Sequence, residues 1–443
     1  MSAGAASGQS DGAARRTVQR DVLCPFCGLG CDDLEVEVQG RAVRALRACA
    51  EAARLLARAD EPPPPCRVEG RPVPFEAAVA AAAGHLSASR AIAFAGLGAD
   101  MEGLGGLYDL AMAAGASLDH AASGGLFANL DRLARKGWIA ATLAEVANRC
   151  DLMVVLGPDP TAAFPRFFER ALPAPSAVAS DAAAPMFVDR TRRRRVAVLG
   201  GTLSAAGRRA LAPHDVAEIA LDGATLPAAA SALALALKGG TLGQAGLPGE
   251  IAAALSELAG LLAQSRYAVF TWDAARLAPA DAALVAEAAA EAVAAASRTT
   301  RAAVFPLGGR DNVVGAHQLA LWRFGWPLRT QVGPGGARHA PDLYATRAAL
   351  ADADLLLHAS ALRPDAPPAF ARGPVIALGH AQTVFPREPD VFIPVGTPGV
   401  DHAGHVFRMD QVVCLPLAGL RPAALASLAE AARAIRAALG GTP

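Results

Sequence analysis

Four cysteines open the chain at a spacing that can do chemistry. Cys24, Cys27 and Cys31 fall within eight residues, and Cys49 follows, giving C-x2-C-x3-C-x17-C. Thiolates are soft ligands, and four of them suit zinc or an iron–sulfur cluster. The x3 gap favours a cluster, because structural zinc sites usually pair their ligands symmetrically. Gly28 and Gly30 let the backbone turn so that the sulfurs converge; the bland alternative is a relic knuckle that binds nothing. The other three cysteines, Cys66, Cys150 and Cys414, are scattered. The last two lie in or beside apolar runs and read as small buried hydrophobes.

Other reactive patterns are weaker. Asp32 and Asp33 read as a solvated turn. Gly96–Gly98 and Gly103–Gly106 follow a strand but fit neither the phosphate-loop nor the dinucleotide fingerprint. Arg192–Arg195 is a run of four arginines, read as a solvated turn or as a dock for an acidic surface. His317 and Trp322 sit in a helical pattern and read as packing residues. No Ser–His–Asp order stands out.

The chain that must position these groups has 443 residues, enough for two or three domains. Its 41 Lys plus Arg balance 41 Asp plus Glu, which argues against a nucleic-acid binder. Only two of the cations, Lys136 and Lys238, are lysines. No apolar run reaches the ~20 residues that a spanning helix needs. Residues 1–20 lack the apolar centre of a secretory signal and read as a flexible tail. A cytoplasmic protein is expected.

Alternation at Leu34–Val38, the turn Gln39-Gly40 and Ala42–Arg44 predict a hairpin. A short helix is expected at 50–58, and Pro62–Pro65 mark a boundary. Helices are expected at about 75–87, 101–115, 138–149 and 421–438. Short apolar strands are expected at 92–96, 117–118, 151–157, 186–189, 196–200, 216–221, 267–272, 303–307, 355–359 and 375–379. Strands alternating with helices predict parallel sheets covered on both faces.

The segment CPFCGLGCDDLEV with Cys49 resembles the start of formylmethanofuran dehydrogenase B subunits, members of the molybdopterin oxidoreductases. Three further segments carry the resemblance: 137–170, Asn312–Trp326 (NVVGAHQLALWRFGW), and Val391–Asp410 (VFIPVGTPGVDHAGHVFRMD). The resemblance implies an α/β fold of molybdopterin oxidoreductase type without the C-terminal pterin-capping barrel. Its parts would be a cysteine module at 21–70, one lobe from 71–120 plus 340–443, and a second lobe at 121–339. It implies one 4Fe-4S cluster on Cys24, Cys27, Cys31 and Cys49. It also implies a molybdenum or tungsten bis-pterin centre held by a Cys-His pair.

The stretch aligned with that pair runs from Asp119 to Phe127, and it places Gly125 at the Cys and Leu126 at the His. Gly cannot ligate a metal, and Leu cannot move a proton. Ser123 and Asp119 are the oxygen ligands that could substitute, and His120 is the remaining nearby base. The basic residue that related proteins often place after the fourth Cys is also missing; Glu51 stands near instead. The pterin centre is therefore expected to be lost.

A chain of this family without the redox pair is similar to B subunits of the formyltransferase/hydrolase complexes of methylotrophic bacteria. The resemblance then implies a scaffold with no catalytic residue of its own. Its partners would be an amidohydrolase A subunit, a C subunit and a formyltransferase D subunit. Together they would carry formyl groups from tetrahydromethanopterin through a methanofuran-type cofactor to formate, in formaldehyde oxidation. The rival reading is an active formylmethanofuran dehydrogenase subunit.

Overall fold

The computed structural model describes residues 16–176, 187–222 and 225–440. The chain is mixed α/β and is organised on three sheets and a two-stranded hairpin. The N-terminal sheet joins Thr17–Val22, Leu34–Gln39 and Ala42–Arg47, all antiparallel. Leu34, Val36 and Val38 are buried while Glu35 and Glu37 are half-exposed, as the alternation requires. Residues 17–20, expected in the tail, are instead an edge strand, with Thr17, Val18 and Gln19 paired to Val38, Glu37 and Val36. Their side chains are mostly exposed, so no apolar alternation announced them. Residues 1–15 of the expected tail lie outside the described residues.

The second sheet has five parallel strands, in the order Asp215–Ile219, Arg195–Leu199, Leu152–Leu156, Tyr267–Asp273 and Arg301–Leu307. Leu152–Leu156 (LMVVL) is wholly buried, as a strand covered on both faces must be. One face carries the helices Leu226–Leu237, Gly249–Gln264 and Pro279–Ala296. The other face shares a core with the cysteine module, through Met153, Val155, Phe164, Phe167 and Phe168. The expected helix at 138–149 begins only at Leu143; the preceding residues bridge to the edge strand at Val304. Of the expected strand at 186–189, Met186 lies outside the described residues and Phe187–Asp189 form no strand.

The third sheet has nine strands. Its centre is parallel: Ser117–Leu118, Ile92–Gly98, Leu355–Ser360, Val375–His380 and Val391–Val395. Antiparallel pairs flank it, Thr330–Gly333 with Gly336–His339 on one side and Cys66–Val68 with Arg71–Val73 on the other. Residues 313–339 therefore join this sheet, while Arg329 and His339 also meet Ser123 and Phe127 of helix Ser123–Lys136. Helix Val313–Phe324 is tied to the sheet by Tyr108, whose hydroxyl donates to the Ala316 carbonyl at 2.6 Å. Helix Phe75–Ala88, helix Met101–Ala114 and the terminal helix Leu428–Gly440 complete the layer. Among the described residues no helix is long and apolar enough to cross a membrane.

Two residues depart from their expected environments. Cys150 is buried as expected, but Cys414 is exposed on the hairpin Gly404–Phe407/Cys414–Leu417. His317 is buried, but Trp322 is 63% exposed, covered only edge-on by Phe407.

Asn312 joins the layers. It adopts φ of +61°, and its side chain donates to the Ala99 carbonyl at 2.8 Å and accepts from the Phe407 amide at 2.9 Å. It also folds back over Gly315, where a Cβ would lie 2.4 Å from its Oδ1; the Asn-x-x-Gly spacing follows from that contact. Asn312→Ala leaves two buried backbone groups unpaired and is expected to cost about 3 kcal/mol. Asn312→Gly, which relieves the backbone but not the lost bonds, is expected to recover only part of that loss. Urea unfolding of both variants checks this.

Candidate functional site

The cysteine loop is closed by its own backbone, with the Cys24 amide donating to the Cys31 carbonyl at 2.8 Å. Gly28 has φ of +81°, and a Cβ there would lie 2.8 Å from the carbonyl oxygen of Gly309. Only glycine allows that approach. Cys49 reaches the loop from the start of helix Ala50–Leu56, where its Sγ accepts from the Ala52 amide at 3.5 Å. The four cysteines line one small cavity with Leu29, Leu34, Ala52, Pro165 and Arg166. Among the described residues no three His, Cys, Asp or Glu side chains close on a point that would hold a single metal ion. The cavity that the four cysteines line is about 10 Å³.

Burial and the neighbouring sulfurs push these thiols up, Cys27 to about 11, Cys31 to about 12 and Cys24 well above the usual thiol range. Opposing them are backbone amides aimed at Cys24 and Cys27, and guanidinium groups of Arg166, Arg170 and Arg363. Those donors favour the thiolate form that a cluster requires. Of the aspartates after Cys31, Asp32 is exposed as a solvated turn requires, but Asp33 is half-buried. Arg166 grips Asp33 through two bonds of 2.6 Å, and Arg170 holds Asp32 at 2.8 Å. The bidentate bond to Arg166 pulls the Asp33 carboxyl down to about 2.

A basic residue does stand near the cysteines, its charge acting on Cys27, though it comes from elsewhere in the chain. Arg363, 3% exposed, follows strand Leu355–Ser360 and pairs with both Glu51 and Asp311. The sequence placed an unmatched Glu51 near the cysteines. The structure matches it with Arg363 and Arg54, and although burial opposes this, the two hold its carboxyl below the usual range.

Asp311 sits in the crevice beyond the carboxyl ends of Ile92–Gly98 and Leu355–Ser360. Strand order reverses there, and open α/β sheets bind ligands at such a point. In this chain protein fills it. Asp311 and Asn312 take left-handed φ values of +52° and +61° in the turn Arg310–Asn312. His120 donates from Nε2 to the Asp311 carbonyl at 3.0 Å and accepts at Nδ1 from the Ala122 amide at 2.9 Å. It is thus a buried neutral imidazole rather than a solvated one.

Gly125 and Leu126 lie in the first turn of helix Ser123–Lys136. A Cβ at Gly125 would lie 2.7 Å from the amide nitrogen of Ala275, in the turn Ala274–Arg276. The two residues line a cavity of about 370 Å³ whose wall is largely apolar, through Leu130, Trp138 and Phe164, but also carries Asp273, Arg276 and Arg310. That is room for one small molecule. The two oxygen side chains that could substitute have other partners. Asp119 Oδ2 accepts from the Thr346 amide and hydroxyl at 2.7 and 2.8 Å, and Ser123 Oγ accepts from Arg329 at 3.3 Å. Neither side chain lines the cavity.

No protein-family model matches the chain. Over 93 residues it is 39% identical to the B component of the formyltransferase/hydrolase complex of Methylorubrum extorquens. That match spans 21% of this chain and about a quarter (26%) of the relative's length. The fold is similar to a chain in the crystal structure of the Methylorubrum extorquens formyltransferase/hydrolase complex with methylofuran. The TM-score is 0.67 at 26% identity, covering 84% of this chain and 98% of that one.

The buried histidines set an acid limit. Burial holds His120, His317 and His358 down at about 4, against about 6.5 when unfolded. The unfolded chain then binds protons that the folded chain refuses, so stability is full above about pH 6.5 and falls as pH drops toward 4. Urea unfolding at pH 5 is expected to show a loss of a few kcal/mol relative to pH 7.5.

Proposed function

We propose that this chain, a relative of the B subunit of the formyltransferase/hydrolase complex, is a non-redox scaffold subunit of such an assembly. Its partners would be the amidohydrolase A subunit, the C subunit and the formyltransferase D subunit. The assembly would take formyl groups from tetrahydromethanopterin to formate. The reading rests on position 125. The residue there has no side chain, its Cα faces the Ala275 backbone with no room for a Cβ, and Leu126 follows it. The bis-pterin metal centre of the family does not fit this arrangement. The rival, an active dehydrogenase subunit, would need a ligand from Asp119 or Ser123, and both are engaged elsewhere.

The reading includes a 4Fe-4S cluster, supported by the four cysteines lining one cavity. Cys24, Cys27, Cys31 and Cys49 would hold it, with Arg166 beside the site. When bound, it would cross-link the loop to helix Ala50–Leu56 through four iron–sulfur bonds. Around it the chain's own residues bury the sulfurs, direct amides at them and balance their charge.

Two measurements test this reading. The assembled complex is expected to release formate from formyl-tetrahydromethanopterin only when this chain is present, and to show no viologen-linked oxidation of a formylated furan. Viologen-linked turnover would contradict the scaffold reading. The purified chain is expected to carry about four iron atoms, and Cys27→Ser to lose them with a fall in Tm. Absence of iron from anaerobically purified chain would remove the cluster. Gly125→Cys is expected to destabilise by about 1–3 kcal/mol through overpacking, not to restore a metal site.

A further inference from the structure

The five-stranded sheet has two ends. Its carboxyl ends face the largely apolar cavity; its amino ends face a separate groove of about 1210 Å³ lined by eight arginines and three aspartates. The sequence builds this by placing an arginine at or just before successive strands. Arg195 opens one strand, Arg266 precedes Tyr267, and Arg298 and Arg301 bring the chain into the edge strand. Parallel register puts these strand entries side by side, with Leu152 opposite Arg195 and Tyr267 opposite Arg301. Neighbouring strands are about 4.8 Å apart, so the charges form a row.

The aspartates do not cancel that row. Asp151 accepts from the Arg266 and Tyr267 amides at 2.8 and 3.0 Å. Asp189 is taken by Arg192 and by the Thr191 turn, and Asp215 by Arg193. Arg194, unlike its neighbours in the four-arginine run, is buried and donates to the Val146 and Ala147 carbonyls. Among the described residues, Arg195, Arg266, Arg298 and Arg301 form no ion pair. In a chain of zero net charge, so many uncompensated guanidinium groups in one concavity are a local device and not a general basic character.

We infer that this groove docks an extended, carboxylate-rich segment of a partner polypeptide. Guanidinium groups bind carboxylates through paired N–H donors. A neutral chain with three aspartates inside the groove is poorly suited to a continuous phosphate backbone. Separate carboxylates on a peptide can meet the arginines while avoiding the aspartates. The site is distinct from the cysteine module and from the cavity at Gly125, so it stands whether or not the scaffold reading does.

Fluorescence anisotropy with a labelled oligo-glutamate peptide at low salt tests it on the full chain. The peptide is expected to bind, with affinity falling steeply as salt rises. The triple variant Arg266→Glu, Arg298→Glu, Arg301→Glu is expected to bind about tenfold or more weakly with unchanged circular dichroism. The control Arg71→Glu, Arg90→Glu, Arg433→Glu, with the same charge change on exposed positions elsewhere, is expected to bind like the wild type. No binding by the wild type, or equal loss in the control, would overturn the inference. So would binding of a single-stranded oligonucleotide as tightly as the peptide, which would make the groove a nucleic-acid site.

Discussion

Arg363 is almost wholly out of water, and a buried guanidinium has to be matched by carboxylates or it cannot stay charged. Its two partners come from distant parts of the chain. Glu51 belongs to the cysteine module, and Asp311 to the turn that fills the crevice of the nine-stranded sheet. Moving the module away would strand a buried positive charge, and moving the turn would do the same. Such a triad adds little net stability, because desolvation offsets the attraction, but it fixes one arrangement of parts. The rest follows from that arrangement. The Asp311 amide donates to the Phe26 carbonyl, the Met409 amide to the Gly28 carbonyl, and Gly28 packs on Gly309.

On the proposed reading, the crevice and the cavity beside it are a ligand site closed by ordinary side chains. Asp311, Asn312 and His120 occupy the switch point of the sheet with hydrogen bonds that would otherwise face a ligand. Two consecutive residues with left-handed φ are a costly local choice, held by the surrounding bonds. At the neighbouring helix, Gly125 accepts the close approach of Ala275, and Leu126 turns an expected proton-handling position into apolar wall. What persists is a small cavity at the carboxyl end of the five-stranded sheet and a basic groove at its other end.

Much of this was legible in the sequence. Wholly apolar runs such as LMVVL gave their strands, because a strand covered on both faces has no other composition. The cysteine spacing marked four thiols that do line one cavity, and the Gly125-Leu126 pair could be read directly. Thr17–Val22 was missed because an exposed edge strand is held by backbone bonds and has no apolar signature. Asp33 and Glu51 were misjudged because their partners, Arg166 and Arg363, are brought near only by tertiary folding. Trp322 was read as buried because helical periodicity cannot say whether a neighbour covers that face. The arginine groove was visible only in part. One run of four was conspicuous, but four further arginines join it only when parallel strands bring their entries into line.

The central claim is that the chain has kept the shell of a metal-pterin protein without the means to hold the metal. Quantifying molybdenum and tungsten in the assembled, natively purified complex tests it most directly. The account predicts neither metal in stoichiometric amount and no pterin released on denaturation. One molybdenum or tungsten per chain, with pterin, would contradict it.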